Sequence, residues 1–124
     1  MAGEVLYKER SYEIVNAAIT VWTKLGYGFL EKVYENALAH ELKRRSIAFA
    51  QQGPVNVWYD GALVGEFYAD IVVDDEIILE LKSAEAIAPA HMAQALNYLK
   101  ATEKRLAIIL NFGPNQLEFK RVVR

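Results

Sequence analysis

The segment YADIVVDDEIILELKSAE, residues 68–85, contains two short apolar runs on either side of an acidic turn. The runs are Ile71–Val73 and Ile77–Leu79, and the turn is Asp74–Glu76. Short apolar runs bounded by turn residues are typical of strands that are buried on both faces. The segment therefore predicts two neighbouring strands of a hairpin inside a sheet.

Three charged residues, Asp70, Glu80 and Lys82, interrupt this apolar context. Side chains alternate along a strand, so Glu80 and Lys82 share one face while Leu81 points to the other. With the turn at residues 74–76, counting back along both strands sets Asp70 opposite Glu80. Residues paired in this way have Cβ atoms about 5 Å apart. The pattern thus predicts two carboxylates and an ammonium group at one place in the sheet.

Two carboxylates this close in poor solvent resist joint ionisation, and a divalent cation removes the conflict. Mg²⁺ and Mn²⁺ prefer oxygen ligands, and Mg²⁺ binds through one or two carboxylates while keeping several waters. Such a metal acidifies water and neutralises charge on a phosphodiester. Lys82 would orient the attacking water or contact the developing negative charge. The alternative interpretation is a structural ion-pair cluster on a half-exposed face.

The rest of the chain predicts an α/β domain with a central mixed β-sheet flanked by helices. Helices are predicted over residues 11–25, with Ser11 as N-cap, and over 30–45 and 90–102. Strands are predicted over 47–59, with a break near Gly53-Pro54, and over 63–73, 76–83, 105–111 and 116–123. No linker or repeat interrupts residues 1–124, which predicts a single domain. Four aromatic residues are expected in the core rather than as stacking platforms: Trp22, Trp58, Phe67 and Phe112.

Polar residues on two of the predicted helices are further candidates for the site. Gln94 and Tyr98 are four positions apart and neighbour each other on the last helix, on the same side as His91. Gln94 would hold the attacking water or a substrate phosphate, and an ordinary amphipathic boundary is the alternative. Glu31 lies near the start of the second helix, on the face that carries Tyr34. A carboxylate there needs a partner or a metal, or it complements the helix dipole.

Composition excludes several classes of protein. The chain has 124 residues, of which 53% are hydrophobic and 24% charged, as in globular domains. It contains no cysteine, which excludes disulfide scaffolds, thiolate zinc, iron–sulfur clusters and cysteine nucleophiles. The N-terminus lacks a signal-peptide pattern, and no apolar run approaches the ~18 residues of a membrane span. These observations predict a soluble cytoplasmic protein without a membrane partner.

The net charge of −2 conceals an uneven distribution of charge. Residues 60–85 carry eight acidic side chains and one lysine, whereas residues 100–124 carry six basic and two acidic side chains. The overall charge gives no support to a general nucleic-acid coat. A cluster of acidic residues beside a cluster of basic residues is typical of a metal site next to an anionic substrate. Chance also produces this pattern in many domains.

Several motifs together resemble a known family. Gly28-Phe-Leu-Glu31-Lys-Val-Tyr34 resembles the signature of the GxxExxY proteins. Asp70 followed by Glu80-Leu81-Lys82 resembles the core of the PD-(D/E)XK nuclease superfamily, with Ala69 where the name has proline. The pair Gln94 and Tyr98 is similar to the QxxxY motif of its RecB-like branch. The block from Leu96 to Arg121 is also like the family, so the resemblance covers nearly the whole chain.

The resemblance implies a restriction-endonuclease-like fold and a magnesium-dependent phosphodiesterase site. It implies that Asp70 and Glu80 are metal ligands, helped by the Leu81 carbonyl and by Glu31. It further implies that Lys82 is the catalytic lysine and that Gln94 and Tyr98 support it.

Three functions are compatible with these residues. The first is a Mg²⁺- or Mn²⁺-dependent nuclease that acts on DNA. The second is a non-cleaving nucleic-acid-binding or protein-interaction module that retains the nuclease fold, which the small size and weak net charge favour. The third is cleavage of RNA or a small nucleotide at the same site. A homodimer is expected for a nuclease that cuts both antiparallel strands, because two-fold symmetry presents two sites.

Overall fold

The computed structural model describes residues 6–124. Its elements, in chain order, are α1 (Lys8–Leu25), α2 (Glu31–Arg44), β1 (Phe49–Tyr59), β2 (Ala62–Val73), β3 (Ile77–Lys82), α3 (Pro89–Thr102), β4 (Leu106–Phe112) and β5 (Leu117–Val123). Each predicted element is present, with its ends shifted by at most three residues. The predicted fold class, a mixed sheet flanked by helices, is confirmed.

The five strands form one sheet in the order β1-β2-β3-β4-β5. β3 and β4 are parallel, and the other neighbouring pairs are antiparallel. A parallel pair needs a long crossover connection, which α3 provides between β3 and β4. The C-terminal end of β3, which is its polar end, is therefore close to α3 in space as well as in sequence.

Two apolar clusters hold the helices against opposite faces of the sheet. On one face, Ile14 of α1 and Tyr34 and Leu38 of α2 pack against alternate residues of β3 that include Leu79 and Leu81. On the other face, α3 packs against a second cluster that contains Ile78. Strand alternation therefore sets Glu80 and Lys82 on the α3 side and turns Leu81 toward α1 and α2. Among residues 6–124, no helix is long and apolar enough to cross a membrane.

The β1–β2 hairpin extends beyond β3, the strand that pairs with β2 in the sheet. β2 has twelve residues and β3 has six, and their ladder runs from Val73–Ile77 to Ile71–Leu79. Much of the hairpin therefore lacks a third strand beside it. Trp58 and Phe67, in this part, are 61% and 48% exposed, so the prediction that they belong to the core is wrong.

The other two aromatic residues that were expected in the core are more buried than the two residues of the hairpin. Phe112 is fully buried, as predicted. Trp22 is partly buried, packs against the cluster beneath α1 and α2, and donates its indole N–H to the Gly113 carbonyl at 3.0 Å. The prediction of a core position therefore holds for Phe112 and in part for Trp22.

Two local predictions are corrected by the backbone. β1 continues through Gly53 and Pro54 because it is an edge strand, where a proline that donates no hydrogen bond is tolerated. α1 begins at Lys8, and its N-cap is Tyr7 in the left-handed region, so Ser11 is a buried residue inside the helix rather than its cap.

Candidate active site

Asp70 and Glu80 lie at the end of the ladder between β2 and β3, where hydrogen bonds to side chains replace those between backbones. The register Val73–Ile77 to Ile71–Leu79 is the one that the turn at residues 74–76 predicts. At the next position, the Asp70 N–H donates to Glu80 Oε2 at 2.9 Å. The Leu81 N–H donates to Asp70 Oδ2 at 2.7 Å. Each carboxylate thus accepts a hydrogen bond from the backbone of the opposite strand, and both are held at the same point.

This arrangement works against ionisation of both carboxylates. Burial, followed by the charge of Asp70, raises the pKa of Glu80 from its ordinary value of 4.5 to about 7. Burial also raises the pKa of Asp70, and the Leu81 N–H partly offsets this effect. The charge of Lys82 lowers the pKa of both carboxyl groups, but by less than burial raises it. Without a further cation, the site holds negative charge at a cost.

The pair fits a hard divalent cation. Within residues 6–124, one oxygen of each carboxylate accepts a backbone N–H, while Asp70 Oδ1 and Glu80 Oε1 accept no hydrogen bond and are available as ligands. No three His, Cys, Asp or Glu side chains in this range gather closely enough to form a complete protein cage. Mg²⁺ commonly binds through one or two carboxylates and keeps its remaining waters. The Leu81 side chain is buried in the core, so only its backbone lies at the site.

Lys82 and two residues of α3 form a hydrogen-bonded chain beside the carboxylates. Lys82 Nζ donates to Gln94 Oε1 at 3.0 Å, and Gln94 Nε2 donates to the Tyr98 hydroxyl at 3.5 Å. Burial, followed by the charges of Glu80 and Asp70, raises the pKa of Tyr98. His91 caps the start of α3, where its Nδ1 accepts the Ala88 N–H at 2.9 Å. In the structure, Gln94 therefore contacts Lys82 and Tyr98 contacts Gln94, whereas His91 caps the N-terminus of α3.

Glu31 is the first residue of α2, and its exposed side chain lies outside the hydrogen-bonded pair. Its charge nevertheless raises the pKa of both Asp70 and Glu80, so its carboxylate belongs to the same negative field. Tyr34 holds the loop before it: the Tyr34 hydroxyl donates to the Gly26 carbonyl at 2.5 Å and accepts the Phe29 N–H at 3.3 Å. The tyrosine of the GxxExxY-like motif is thus a buried anchor for the segment that carries Glu31.

Glu35 is a buried carboxylate near the site that the sequence analysis did not single out. It is 4% exposed and accepts hydrogen bonds from Gln51 Nε2 at 2.7 Å and Gln52 Nε2 at 3.0 Å. Gln52 has a φ of 57°, so the backbone of β1 is strained where Glu35 holds it. The charge of Glu35 also raises the pKa of Asp70. Its spacing of four residues from Glu31 on α2 is the signal that would have identified it.

Asn111 is the second residue that the sequence analysis did not single out. It is fully buried on β4, beside Lys82 in the parallel ladder. Its Oδ1 accepts the Ala84 N–H at 2.9 Å, and its Nδ2 donates to the Ala84 carbonyl at 3.0 Å and to Glu118 at 3.0 Å. Asn111 therefore fixes the chain immediately after Lys82. A single buried amide leaves no sequence pattern by which it would be recognised.

Comparison with protein-family models identifies the superfamily of the chain. A family model described as the PD-(D/E)XK nuclease superfamily matches residues 8–122. The chain belongs to the PD-(D/E)XK nuclease superfamily. PD-(D/E)XK nucleases generally use divalent metals, in agreement with the carboxylate pair described above. Comparison with the curated proteins gives no match.

Two solved structures share the PD-(D/E)XK fold with this chain. SSO0001 superposes with a TM-score of 0.61 at 14% identity, over 95% of this chain and 60% of that one. The alkaline exonuclease LHK-Exo from Laribacter hongkongensis superposes with a TM-score of 0.55 at 13% identity, over 100% of this chain and 72% of that one. The chain thus spans somewhat over half the length of SSO0001, and at these identities the likeness concerns the fold alone.

Proposed function

We propose that this protein is a metal-dependent nuclease that hydrolyses phosphodiester bonds in nucleic acid, with DNA as substrate and Mg²⁺ or Mn²⁺ as cofactor. The observation that carries the proposal is the meeting of Asp70, Glu80 and Lys82 where β2 and β3 diverge. Asp70 and Glu80, with the Leu81 carbonyl, would be the direct ligands of the cation, and Glu31 would add its negative charge from the start of α2. Membership of a nuclease superfamily and the fold shared with an exonuclease support this reaction class.

Each side chain of the site would have a separate role in the proposed hydrolysis. A bound divalent cation supplies Lewis acidity, which makes water more acidic and neutralises charge on the phosphodiester. Lys82 Nζ, held by Gln94 at 3.0 Å, provides a fixed ammonium group for the negative charge that develops on the phosphate. Tyr98 keeps the Gln94 amide oriented so that its oxygen faces Lys82. Fixed donors of this kind lower the barrier because they need no rearrangement during the reaction.

The motifs around the site support a finer placement within the superfamily. Tyr34 anchors the loop before Glu31, Gln94 accepts a hydrogen bond from Lys82, and Tyr98 accepts one from Gln94. Support of Lys82 by Gln94 and Tyr98 is what the resemblance to a RecB-like QxxxY pair implies. These contacts and the two motifs support our proposal that the protein is a member of the GxxExxY family, in the RecB-like branch.

The test is a cleavage assay with Mg²⁺ or Mn²⁺ on single- and double-stranded DNA and RNA. Asp70→Asn and Lys82→Ala should each reduce cleavage by at least about 100-fold, because each removes a group that acts in the transition state. Asp75→Asn and Lys43→Ala change the same residue types at exposed positions away from the site and should leave the rate unchanged. Thermal unfolding of all variants checks that the fold is intact.

The alternative function is a non-cleaving module that binds nucleic acid or a protein. A net charge of −2 is the observation in its favour. Calorimetric titration with Mg²⁺ or Mn²⁺ separates the two functions, because binding that Asp70→Asn abolishes supports the nuclease. If the wild type neither binds metal nor cleaves any of the four polymers, Asp70, Glu80 and Lys82 form an ion-pair cluster and the module is the better description.

A homodimer follows from the proposed function if both strands of a duplex are cut. Two-fold symmetry would present two copies of the site to antiparallel strands. Light scattering at working concentration should then give twice the chain mass of 14.0 kDa. A monomeric mass would exclude the symmetric dimer and favour cleavage of one strand at a time.

A further inference from the structure

An aromatic groove adjoins the candidate active site, between the projecting β1–β2 hairpin and α3. It has a volume of about 800 Å³, within the range of ligand-binding clefts. Trp58 and Phe67 of the hairpin line one wall, and Tyr98 and Asn97 of α3 line the other. Trp58 is 61% exposed and Phe67 is 48% exposed, so both aromatic side chains are accessible to a ligand in the groove.

The groove is continuous with the chemistry of the site. Gln94 and Tyr98 line the groove, and the same two residues form the hydrogen-bonded chain to Lys82. The ring centroids of Phe67 and Tyr98 lie 6.1 Å apart at 35°, so the aromatic wall reaches directly to the site. A ligand whose phosphate lies at Lys82 would therefore extend into the groove.

The groove carries the charge that a polyanion requires. Among residues 6–124, its lining includes Lys100 and no acidic side chain, in a chain that has 16 acidic residues and a net charge of −2. Asn97 of α3 also lines the groove and carries an amide that can donate and accept hydrogen bonds. Exposed aromatic faces, neutral amides and a lysine are the combination with which proteins bind single-stranded nucleic acid, through base stacking and contact with the backbone.

We infer that this groove binds unpaired nucleobases of a single-stranded segment next to the scissile phosphate, with Trp58 and Phe67 as stacking platforms. The inference rests on the proposed function and specifies its substrate as single-stranded or locally unpaired nucleic acid. A base pair presents its edges in the grooves of the duplex and hides its faces in the stack, so a fully paired duplex offers no base to these rings. Trp58 and Phe67 determine this preference and take no part in hydrolysis.

The experiment measures binding without cleavage. Fluorescence anisotropy of a labelled single-stranded DNA of about 10 nucleotides, in EDTA, gives the affinity of the wild type and of variants. Trp58→Ala and Phe67→Ala should each weaken binding by about 5- to 100-fold, because each removes one stacking platform. Tyr59→Ala removes a 74% exposed aromatic residue of the same hairpin that lies outside the groove, and it should leave the affinity unchanged.

Tryptophan emission provides a second readout that an indirect effect on folding would not produce. Stacking of a base on Trp58 should quench the emission when the oligonucleotide binds. Trp58→Phe keeps an aromatic face and should retain most of the affinity, while the quenching is lost. Circular dichroism and thermal unfolding confirm that each variant is folded, which is expected because both side chains are half exposed or more.

The outcomes separate this inference from the proposed function. Weaker binding of single strands by Trp58→Ala and Phe67→Ala supports the groove even if no polymer is cleaved. If the wild type cleaves and both variants bind and cleave single strands as it does, the groove inference is overturned while the nuclease stands. It is also overturned if the wild type binds no single strand, or if Trp58→Ala converts a dimer into a monomer, because a second copy then occupies the groove.

Discussion

Glu80 is 4% exposed and shares its position with a second carboxylate, and burial raises its pKa to about 7. Because the pKa is higher in the folded protein than in the unfolded chain, this group favours folding at low pH, and that contribution is lost as the pH rises from about 4.5 to about 7. At neutral pH the metal-free protein therefore carries a cost that a cation would remove. This is the usual conflict between stability and chemistry at an active site.

Glu80→Gln should stabilise the metal-free protein at about pH 8, by at most about 3 kcal/mol, and leave it little changed near pH 5. The glutamine oxygen can still accept the Asp70 N–H, so the strand contact is kept. Urea unfolding in EDTA across this pH range measures the difference, and metal titration should show weaker binding. A variant less stable than the wild type at about pH 8 would contradict the assignment of charge at this position.

Glu35 contributes to the site from outside it, because it holds the strained part of β1. Glu35→Ala removes the acceptor of the Gln52 amide, one of the two acceptors of the Gln51 amide and the partner of Lys32, and should destabilise the protein by about 1–3 kcal/mol. Glu13→Ala, at an exposed carboxylate of α1, should change stability by less than about 0.5 kcal/mol. Urea unfolding of both variants tests this, and equal stabilities would mean that the two amides find other partners.

At the scale of elements, the fully buried side chain of Tyr34 holds the loop before α2. The Tyr34 ring stacks on Phe112, with centroids 4.4 Å apart at 14°, and its hydroxyl holds the backbone of Gly26 and Phe29. Tyr34 therefore connects the loop to the core on β4, and the Ser83 hydroxyl, which donates to the Phe29 carbonyl at 3.3 Å, is a further contact of the loop. The position of Glu31, which follows the loop directly, depends on the same contacts.

Tyr34→Phe should lower the free energy of unfolding by about 1–3 kcal/mol, because a buried carbonyl loses its donor while the ring stacking remains. Tyr59→Phe makes the same chemical change at an exposed position and should have an effect below about 0.5 kcal/mol. Denaturant unfolding at neutral pH measures both. If the two variants match, the Tyr34 hydroxyl does not anchor the loop.

The elements also show which parts of the fold the sequence can predict. The pairing of Asp70 with Glu80 follows from a period of two and a short turn, both of which are local properties. The exposure of Trp58 and Phe67 does not, because it depends on β3 being half as long as β2, and this relation appears only when the strands are assembled. Pro54 in β1 is a similar case: its tolerance depends on β1 lying at the edge of the sheet.

At the scale of the whole molecule, the basic residues near the C-terminus are partly committed to internal contacts. Lys104 Nζ donates to the Asp75 carbonyl at 2.9 Å, at the turn of the β2–β3 hairpin, and Arg121 donates to the Leu6 carbonyl. The basic cluster that the sequence predicts beside the acidic cluster is therefore only partly available to a substrate. Lys82 at the site and Lys100 in the groove lie along the candidate substrate path.

This distribution of charge predicts a weak dependence of nucleic-acid binding on salt. Each phosphate neutralised on a single strand contributes about −0.7 to the slope of log K against log salt concentration, so two to four contacts give a slope between about −1 and −3. Stacking on Trp58 and Phe67, which releases no counterions, would supply much of the remaining affinity. Anisotropy titrations over a tenfold range of KCl measure the slope, and Lys100→Ala should reduce it by about 0.7. A slope steeper than about −5 would mean that a basic surface elsewhere on the molecule, rather than the groove, makes the main contact.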